Sequence, residues 1–483
     1  MRKKYLTYED FGAVGDGKND DFAAIIACHD EANRTGTPVK TKDGATYYIG
    51  GADATAIIKT DVDFGTSRII IDDRCLEKIT SYVFSVQSDF EVFPIDLTSI
   101  GKKQKTLDFP HDGNVIVNVF NDNEKVYIRK GRNKNDGTSV ADAFLVDADG
   151  NIYPSVDFDY PTVTRAVAKC IDDEPITIKG GIFTTIANQQ ESFYRYHQRG
   201  FNVSRSHVTI CNFEHYVEGE LDHGAPYHGF IRANFTSDLT VRDAIITPRF
   251  IYYTESKIPG QQVPMGSYDL SFWSSIDVKC INVKQSIDIL DRRYWGVYTS
   301  NFCKNLYLEN CIFSRFDAHM GVTNATIKNC TLGHQSIQLI GHGEFLIENS
   351  IVKNSTSQFI CLRCDYGSTF DGNITIRNCE WESASINARI ISENNVGDHN
   401  YGYPCYYGKN ITIDGLKIKF TGGQPPENIK VSVLTDANGA KSEMPFPYIT
   451  PETVSVKNVV CENGIKYVMT YAPENFKNTV FKN

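Results

Sequence analysis

The sequence predicts an all-β fold, a right-handed single-stranded parallel β-helix. Three observations carry it. A short strand-like block recurs along the chain. Asn or Gly stands at the fifth position of eight of the ten blocks. The chain has 483 residues, too many for one ordinary globular core, whereas the core of a solenoid grows with length.

The blocks read ITIKGG at Ile176, VTICNF at Val208, LTVRDA at Leu239, IDVKCI at Ile276 and LYLENC at Leu306. They continue as ATIKNC at Ala325, FLIENS at Phe345, ITIRNC at Ile374, ITIDGL at Ile411 and VSVKNV at Val454. Alternation of apolar and polar residues means a strand with one face buried. Successive offsets are 32, 31, 37, 30, 19, 20, 29, 37 and 43 residues. The shortest fit one coil, and the longer ones are coils carrying loops, which tend to gather on one side. The fifth position is Asn212, Asn310, Asn329, Asn349, Asn378 and Asn458, or Gly180 and Gly415. Both residue types tolerate the left-handed backbone of a tight corner, and stacked Asn side chains can bond between coils. Cys311, Cys330 and Cys379 follow as small core residues.

The chain divides into four stretches. Residues 1–89 hold an N-terminal motif, a capping helix and the first coils. Residues 90–175 break the repeat with hairpin-like runs (VIVNVF, KVYIRKG, AFLVDADGNIYPSV) and read as an inserted small β module. Residues 176–465 are the main β-helix, and 466–483 form a C-terminal tail or cap. The run Asp147, Asp149, Asn151 begins like a calcium loop but lacks the rest of one, which favours a plain turn.

Composition narrows the partners. The net charge of -10 repels nucleic acid and anionic membranes at long range, so neither is expected. Aromatic residues make up 12%, usual both for β structure and for sugar-binding clefts. An odd total of 13 scattered cysteines is no disulfide framework, and CLRC at 361–364 has no second pair at zinc spacing. Residues 1–10 have no apolar run behind their basic residues, unlike a secretory leader. No stretch approaches the roughly 20 apolar residues of a membrane span. The expected location is cytoplasmic, or extracellular where a leader has been removed.

Eight of the eleven histidines fall between His197 and His342, among acids, arginines and aromatics that follow the blocks. Segments at similar offsets stack on one face, about 4.8 Å apart per coil. Asp288 or Asp291, Asp317, the His342 region, and Arg363 with Asp365 are therefore expected to form one exposed stripe, a cleft along the axis. Glycoside hydrolysis needs two carboxyls, one kept protonated. Asp317 with Asp288 or Asp291 supplies a pair, with His319 or His342 to relay a proton. Arg292, Arg293 and Arg363 suit a substrate carboxylate, and Tyr294 and Trp295 suit a sugar face. Asp222, His223 and His228 add polar contacts. The same charges also suit ion pairs between coils, and His215, His223 and His228 suit hydrogen bonds within loops.

Residues 10–25, DFGAVGDGKNDDFAAI, place Asp20 or Asp21 to cap a helix over Phe22 to Arg34. With the Asn-ended repeats, this block resembles the pectate-lyase-like β-helix superfamily, which includes polygalacturonases, polysaccharide lyases and phage tailspikes. The resemblance implies that the helix caps the core, so Asp16, Asp20 and Asp21 are structural. Gly341-His342-Gly343 is similar to the GHG of polygalacturonases, and Arg363 follows as the arginine of their RIK motif does. Their NTD tripeptide and adjacent aspartates are absent, and DILD and RFDAH stand in the comparable coils.

The leading expectation is a glycoside hydrolase acting on an oligo- or polysaccharide, uronate-containing or not. The first alternative is a polysaccharide lyase, with His223, His228, Tyr294 or Arg363 as base. The second is a non-catalytic glycan-binding adhesin of tailspike type. No cofactor or metal is expected, with calcium added only for a lyase. A monomer or a homo-oligomer, trimer included, fits the fold.

Overall fold

The computed structural model describes residues 4–76, 80–127, 137–190, 196–221, 225–255, 259–260, 262–354, 357–363, 369–383, 388–393, 405–422, 430–435, 448–462 and 465–483. The chain winds as a parallel β-helix with three strand faces per coil. All ten repeat blocks stack in register on the first face. Ile178, Ile210, Val241, Cys280, Leu308, Ile327, Ile347, Ile376, Ile413 and Val456 follow one another as direct partners. The second face includes 182–186, 214–218, 312–317, 331–339 and 358–362. The third includes 201–203, 231–234, 270–273, 298–301 and 320–322.

One block sits two residues from the expected frame. Val278, not Ile276, pairs with Leu239 and Leu306. Ile276 and Val278 both continue the alternation, so periodicity alone allowed either frame. The structural frame puts Asn282 at the corner position, with φ 55°.

The fifth-position residues turn the corner from the first face to the second. Asn212, Asp243, Asn282, Asn310, Asn329, Asn349, Asn378 and Asn458 all have φ between 49° and 55°. Neighbouring rungs bond through them: Asn282 Nδ2 donates to Asp243 at 2.9 Å, and Asn458 Nδ2 to Asp414 at 2.8 Å. At Gly180 (φ 79°) a Cβ would meet the Gly65 backbone at 2.7 Å, so this rung needs glycine.

A second ladder, not anticipated from sequence, precedes the blocks at the corner from the third face to the first. His207, Asp238, Asp277, Asn305 and Asn324 are left-handed there too. Asn305 donates to Asp277, Asn324 to Asn305, Asn373 to the Glu344 carboxylate, and Asn410 to Asn373.

The helix Phe22–Thr35 buries Phe22, Ile25, Cys28, His29 and Ala32 against the first coils. Asp20 accepts the Phe22 N–H at 3.0 Å, while buried Asp21 instead takes the N–H of Val14 at 2.6 Å. The described cysteines are all free thiols, and Cys280, Cys311, Cys330 and Cys379 are buried. Asp147 accepts the N–H groups of Asp149 and Asn151, closing a hairpin turn.

Within the inserted stretch, strands between Phe93 and Cys170 form a five-stranded antiparallel sheet. It docks on the flank of the helix through a buried ion cluster. Lys304 Nζ lies 2.6 Å from Asp142 and 3.1 Å from Asp157, and the Thr323 hydroxyl donates to Asp157 at 2.6 Å. Burial and the neighbouring Asp157 push the Asp142 carboxyl up to about 7, with Lys304 opposing them.

Candidate functional site

The corner from the second face to the third is unlike the other two. Its connections span 187–200, 219–230, 247–269 and 286–297, shrink to 318–319 and to residue 340, and lengthen again at 363–369. Long connections at one corner of successive coils are what the unequal offsets predicted. Most of the expected stripe lies here.

Asp317 ends a second-face strand and is fully buried. Arg315 and Arg363 ion-pair with it, and the Tyr268 hydroxyl donates to it. Burial alone would raise its carboxyl, but Arg315, Arg363 and His319 outweigh that and hold it well below the usual carboxylate range. The expected exposed partner of Asp288 or Asp291 is therefore corrected. Tyr268 comes from an earlier connection and Arg363 from a later one, and they occupy both carboxylate oxygens. Such a carboxylate stays ionised and cannot serve as the protonated acid. His319 Nδ1 is 2.8 Å from the Asn301 side-chain oxygen.

Trp295 packs part of its ring within the protein. Its ring lies against Gly266, where a Cβ would come within 1.8 Å of it, and the Arg315 guanidinium sits 4.9 Å from its centroid. The side chain is nonetheless only partly buried. His228 stacks on Tyr196 at 5.2 Å, and burial, then Arg232 and His197, push it down to about 4.

His342 departs from the stripe. It lies on a different corner, in register with Thr323 and Asp371, packed edge-on against Phe158 of the inserted module at 5.0 Å. Its sequence offset matched, but the strand Gly341–Glu348 follows a one-residue connection and carries it onto the next face. The GHG likeness therefore does not put His342 beside Asp317. Asp222, His223 and Asp365 lie outside the described residues.

Deeper in the same corner is a second buried polar cluster. Arg199 Nε is 2.7 Å from Asp73, and the Tyr227 hydroxyl donates to Asp73 at 3.1 Å. The Arg249 guanidinium stacks on the Tyr227 ring at 3.9 Å. His215 Nδ1 lies 2.5 Å from Asp269, and its other nitrogen bonds the Thr185 hydroxyl. His215 is thus a satisfied core histidine, stacked on Phe230 at 3.7 Å.

Among the described residues, the carboxyls left nearer the surface include Glu220, Asp288 and Asp291. Asp288 is exposed and accepts the Leu290 N–H at 3.0 Å. Asp291 pairs with Arg293 at 2.6 Å, and hydrogen bonds from the Arg293 side chain and backbone hold it below the usual range. Arg292 and Arg293 are exposed. Glu220 received no role from sequence. Burial pushes its carboxyl up, against Arg249 and backbone N–H groups that pull it down. Its Oε2 accepts from Phe250 N–H at 3.1 Å, while Oε1 is buried with no partner among the described residues. Tyr294 stacks on Phe250 at 4.6 Å and feels both Asp291 and Glu220. Two carboxyls with opposite shifts thus flank one aromatic pair. No local motif marks Glu220, because burial raises it and the groups that oppose the rise, Arg249 and the Phe250 N–H, come from a later connection.

No protein-family model and no curated protein sequence matches the chain. Solved structures do. The tailspike gp61 of Pseudomonas phage phi297 is 12% identical, with TM-score 0.57, over 98% of this chain and 82% of that one. The tailspike gp49 of Pseudomonas phage LKA1 is 15% identical, with TM-score 0.54, over 99% and 84%. The gp54 tailspike of Acinetobacter baumannii bacteriophage AP22, solved with a capsular saccharide, is 10% identical, with TM-score 0.56, over 99% and 79%. The resemblance to the pectate-lyase-like superfamily is thus matched at the level of fold: the chain is a parallel β-helix of the kind these tailspikes share.

Proposed function

We propose that the chain binds a glycan across its long-loop corner and hydrolyses it, with Glu220 as proton donor and Asp291 as the ionised partner. The carrying observation is geometric: Glu220 accepts the N–H of Phe250 with its other oxygen buried and unpartnered among the described residues, Phe250 stacks on Tyr294, and Asp291 lies three residues before Tyr294, paired with Arg293. Pairs whose surroundings push their proton affinities apart divide the acid and base roles at one pH. Glu220 gives its proton to the glycosidic oxygen as the bond to the anomeric carbon breaks. Asp291 faces the developing positive charge or activates the attacking water, the choice depending on the carboxyl separation. The Phe250–Tyr294 stack offers an apolar platform, with half-exposed Tyr253 on the same connection. The saccharide bound by the AP22 tailspike supports a glycan ligand for this fold.

The test is turnover on a glycan panel, read by reducing ends and by ultraviolet absorbance. Reducing ends without absorbance are expected. Glu220→Gln should lower the rate roughly 10²- to 10⁴-fold while glycan binding persists. Absorbance from a new double bond would instead establish a lyase. Binding with neither signal would establish an adhesin.

A further inference from the structure

On the far side of the helix, the inserted module overhangs the outer surface of the first face and makes a groove of about 820 Å³. It belongs to neither buried cluster nor to the Glu220 corner. Its floor is a row of outward-facing partners: Lys279, Tyr307, Thr326, Leu346 and Thr375. Its side is the second ladder, and Tyr153 of the module forms the overhang.

We infer that this groove is a second glycan-binding site, one that takes an extended neutral oligosaccharide and carries no chemistry. The geometry of Tyr153 is the first reason. Its ring is half exposed, yet its hydroxyl is fixed, accepting from Asn305 Nδ2 at 2.8 Å and reaching Asp277 at 3.3 Å. A tyrosine held by its hydroxyl and open on its ring presents a rigid apolar face at low entropic cost. Tyr307 supplies a second ring on the floor.

The charge pattern fixes the ligand class. His207 lies 2.8 Å from Asp238, Lys279 lies 3.7 Å from the same carboxylate, and Arg377 lies 3.4 Å from Glu348. Asn373 donates to Glu344 at 2.6 Å. The groove's cations already face carboxylates, so a ligand carboxylate would displace an existing partner. The carboxylates and carboxamides keep lone pairs for sugar hydroxyls. Rungs repeat about every 4.8 Å, so an extended chain of several sugar units meets the same acceptors at each step.

The experiment applies the full chain to an array of neutral and uronate-bearing oligosaccharides, then measures the bound sugars by calorimetry. Three variants are compared: Tyr153→Ala, Tyr307→Ala and Glu220→Gln. Tyr307 projects outward, so its change tests the groove even if Tyr153→Ala loosens the module. A neutral oligosaccharide should bind with roughly tenfold lower affinity in either tyrosine variant and unchanged affinity in Glu220→Gln. Hydrolysis of short substrates should be the same in Tyr307→Ala as in the unaltered protein. An array with no neutral ligand, or binding unaffected by Tyr307→Ala, overturns the inference. Because Glu220→Gln reports on the other corner alone, failure of the hydrolase reading would leave this result separately legible.

Discussion

At the corner between the first and second faces, one residue per coil turns the chain. That residue is left-handed Asn, Asp or Gly, and at Asn282 its side chain also bonds the neighbouring rung. At the corner between the second and third faces, connections of very different length fold over one another. Ion clusters hold them: Asp317 with Arg315 and Arg363, and Asp73 with Arg199. The first corner is a local solution repeated. The second is assembled once, from residues far apart in sequence, and it brings Glu220 and Asp291 to the same aromatic pair. Uniform stacking leaves every coil in the same environment, whereas irregular loops give each carboxyl its own.

The largest expected effect tests whether the long-loop corner depends on its ion clusters. Asp317→Asn leaves Arg315 and Arg363 buried without their shared charge. Removing one member of a buried pair typically costs about 3–5 kcal/mol. Chemical denaturation should report a loss of that order, and at a temperature where the variant stays folded its turnover should persist. Normal stability with abolished turnover would instead make Asp317 catalytic and erase the distinction drawn from Glu220.

How far sequence reading reached follows the same division. The ladder was legible because a left-handed φ is a demand on one residue, and Asn329 or Gly415 meets it wherever it stands. Even there, the block at Ile276 was framed two residues early, since alternation cannot choose between equivalent frames. The long-loop corner was legible as a place, from offsets and from crowded histidines. Its roles were not. Asp317 looked like an exposed acid because nothing nearby in sequence announces Tyr268 or Arg363. His342 looked like a neighbour because a one-residue connection shifts a coil by a whole face. Glu220 was invisible as a candidate because its environment comes from residues 249–250 and 294.

A smaller effect separates the corners by pH. Burial, then Arg249 and Arg199, push His197 down to about 4, and His228 is likewise depressed to about 4. Their unfolded value is near 6.5. A folded value below the unfolded one means the unfolded chain takes up protons first. Stability is therefore full above pH 6.5, falls as the pH drops below it, and stops falling on their account near pH 4. At pH 5 each histidine should contribute a loss of about 1–2 kcal/mol. His29, on the buried face of the capping helix and lowered to about 3, adds to the total, so the measurement is a difference. The double variant His197→Gln/His228→Gln should lose less stability between pH 7 and pH 5 than the unaltered protein. Equal losses would place the acid sensitivity elsewhere. The carboxamide ladder has nothing to titrate in this range.

The smallest effect probes the ladder itself. Asn282 combines the two services of that corner: a φ of 55° and a 2.9 Å hydrogen bond to Asp243. Asn282→Ala loses both, and the left-handed backbone alone costs an alanine about 1–2 kcal/mol. Asn282→Gly loses only the hydrogen bond, which is exposed, so its cost should stay near about 0.5 kcal/mol. Thermal melting of the two variants separates backbone from side chain at a single rung. Glycine as damaging as alanine would mean that the rung-to-rung bond, not the turn, selects asparagine. The ladder would then depend on contacts between coils, as the long-loop corner does, and the contrast between the corners would be one of degree.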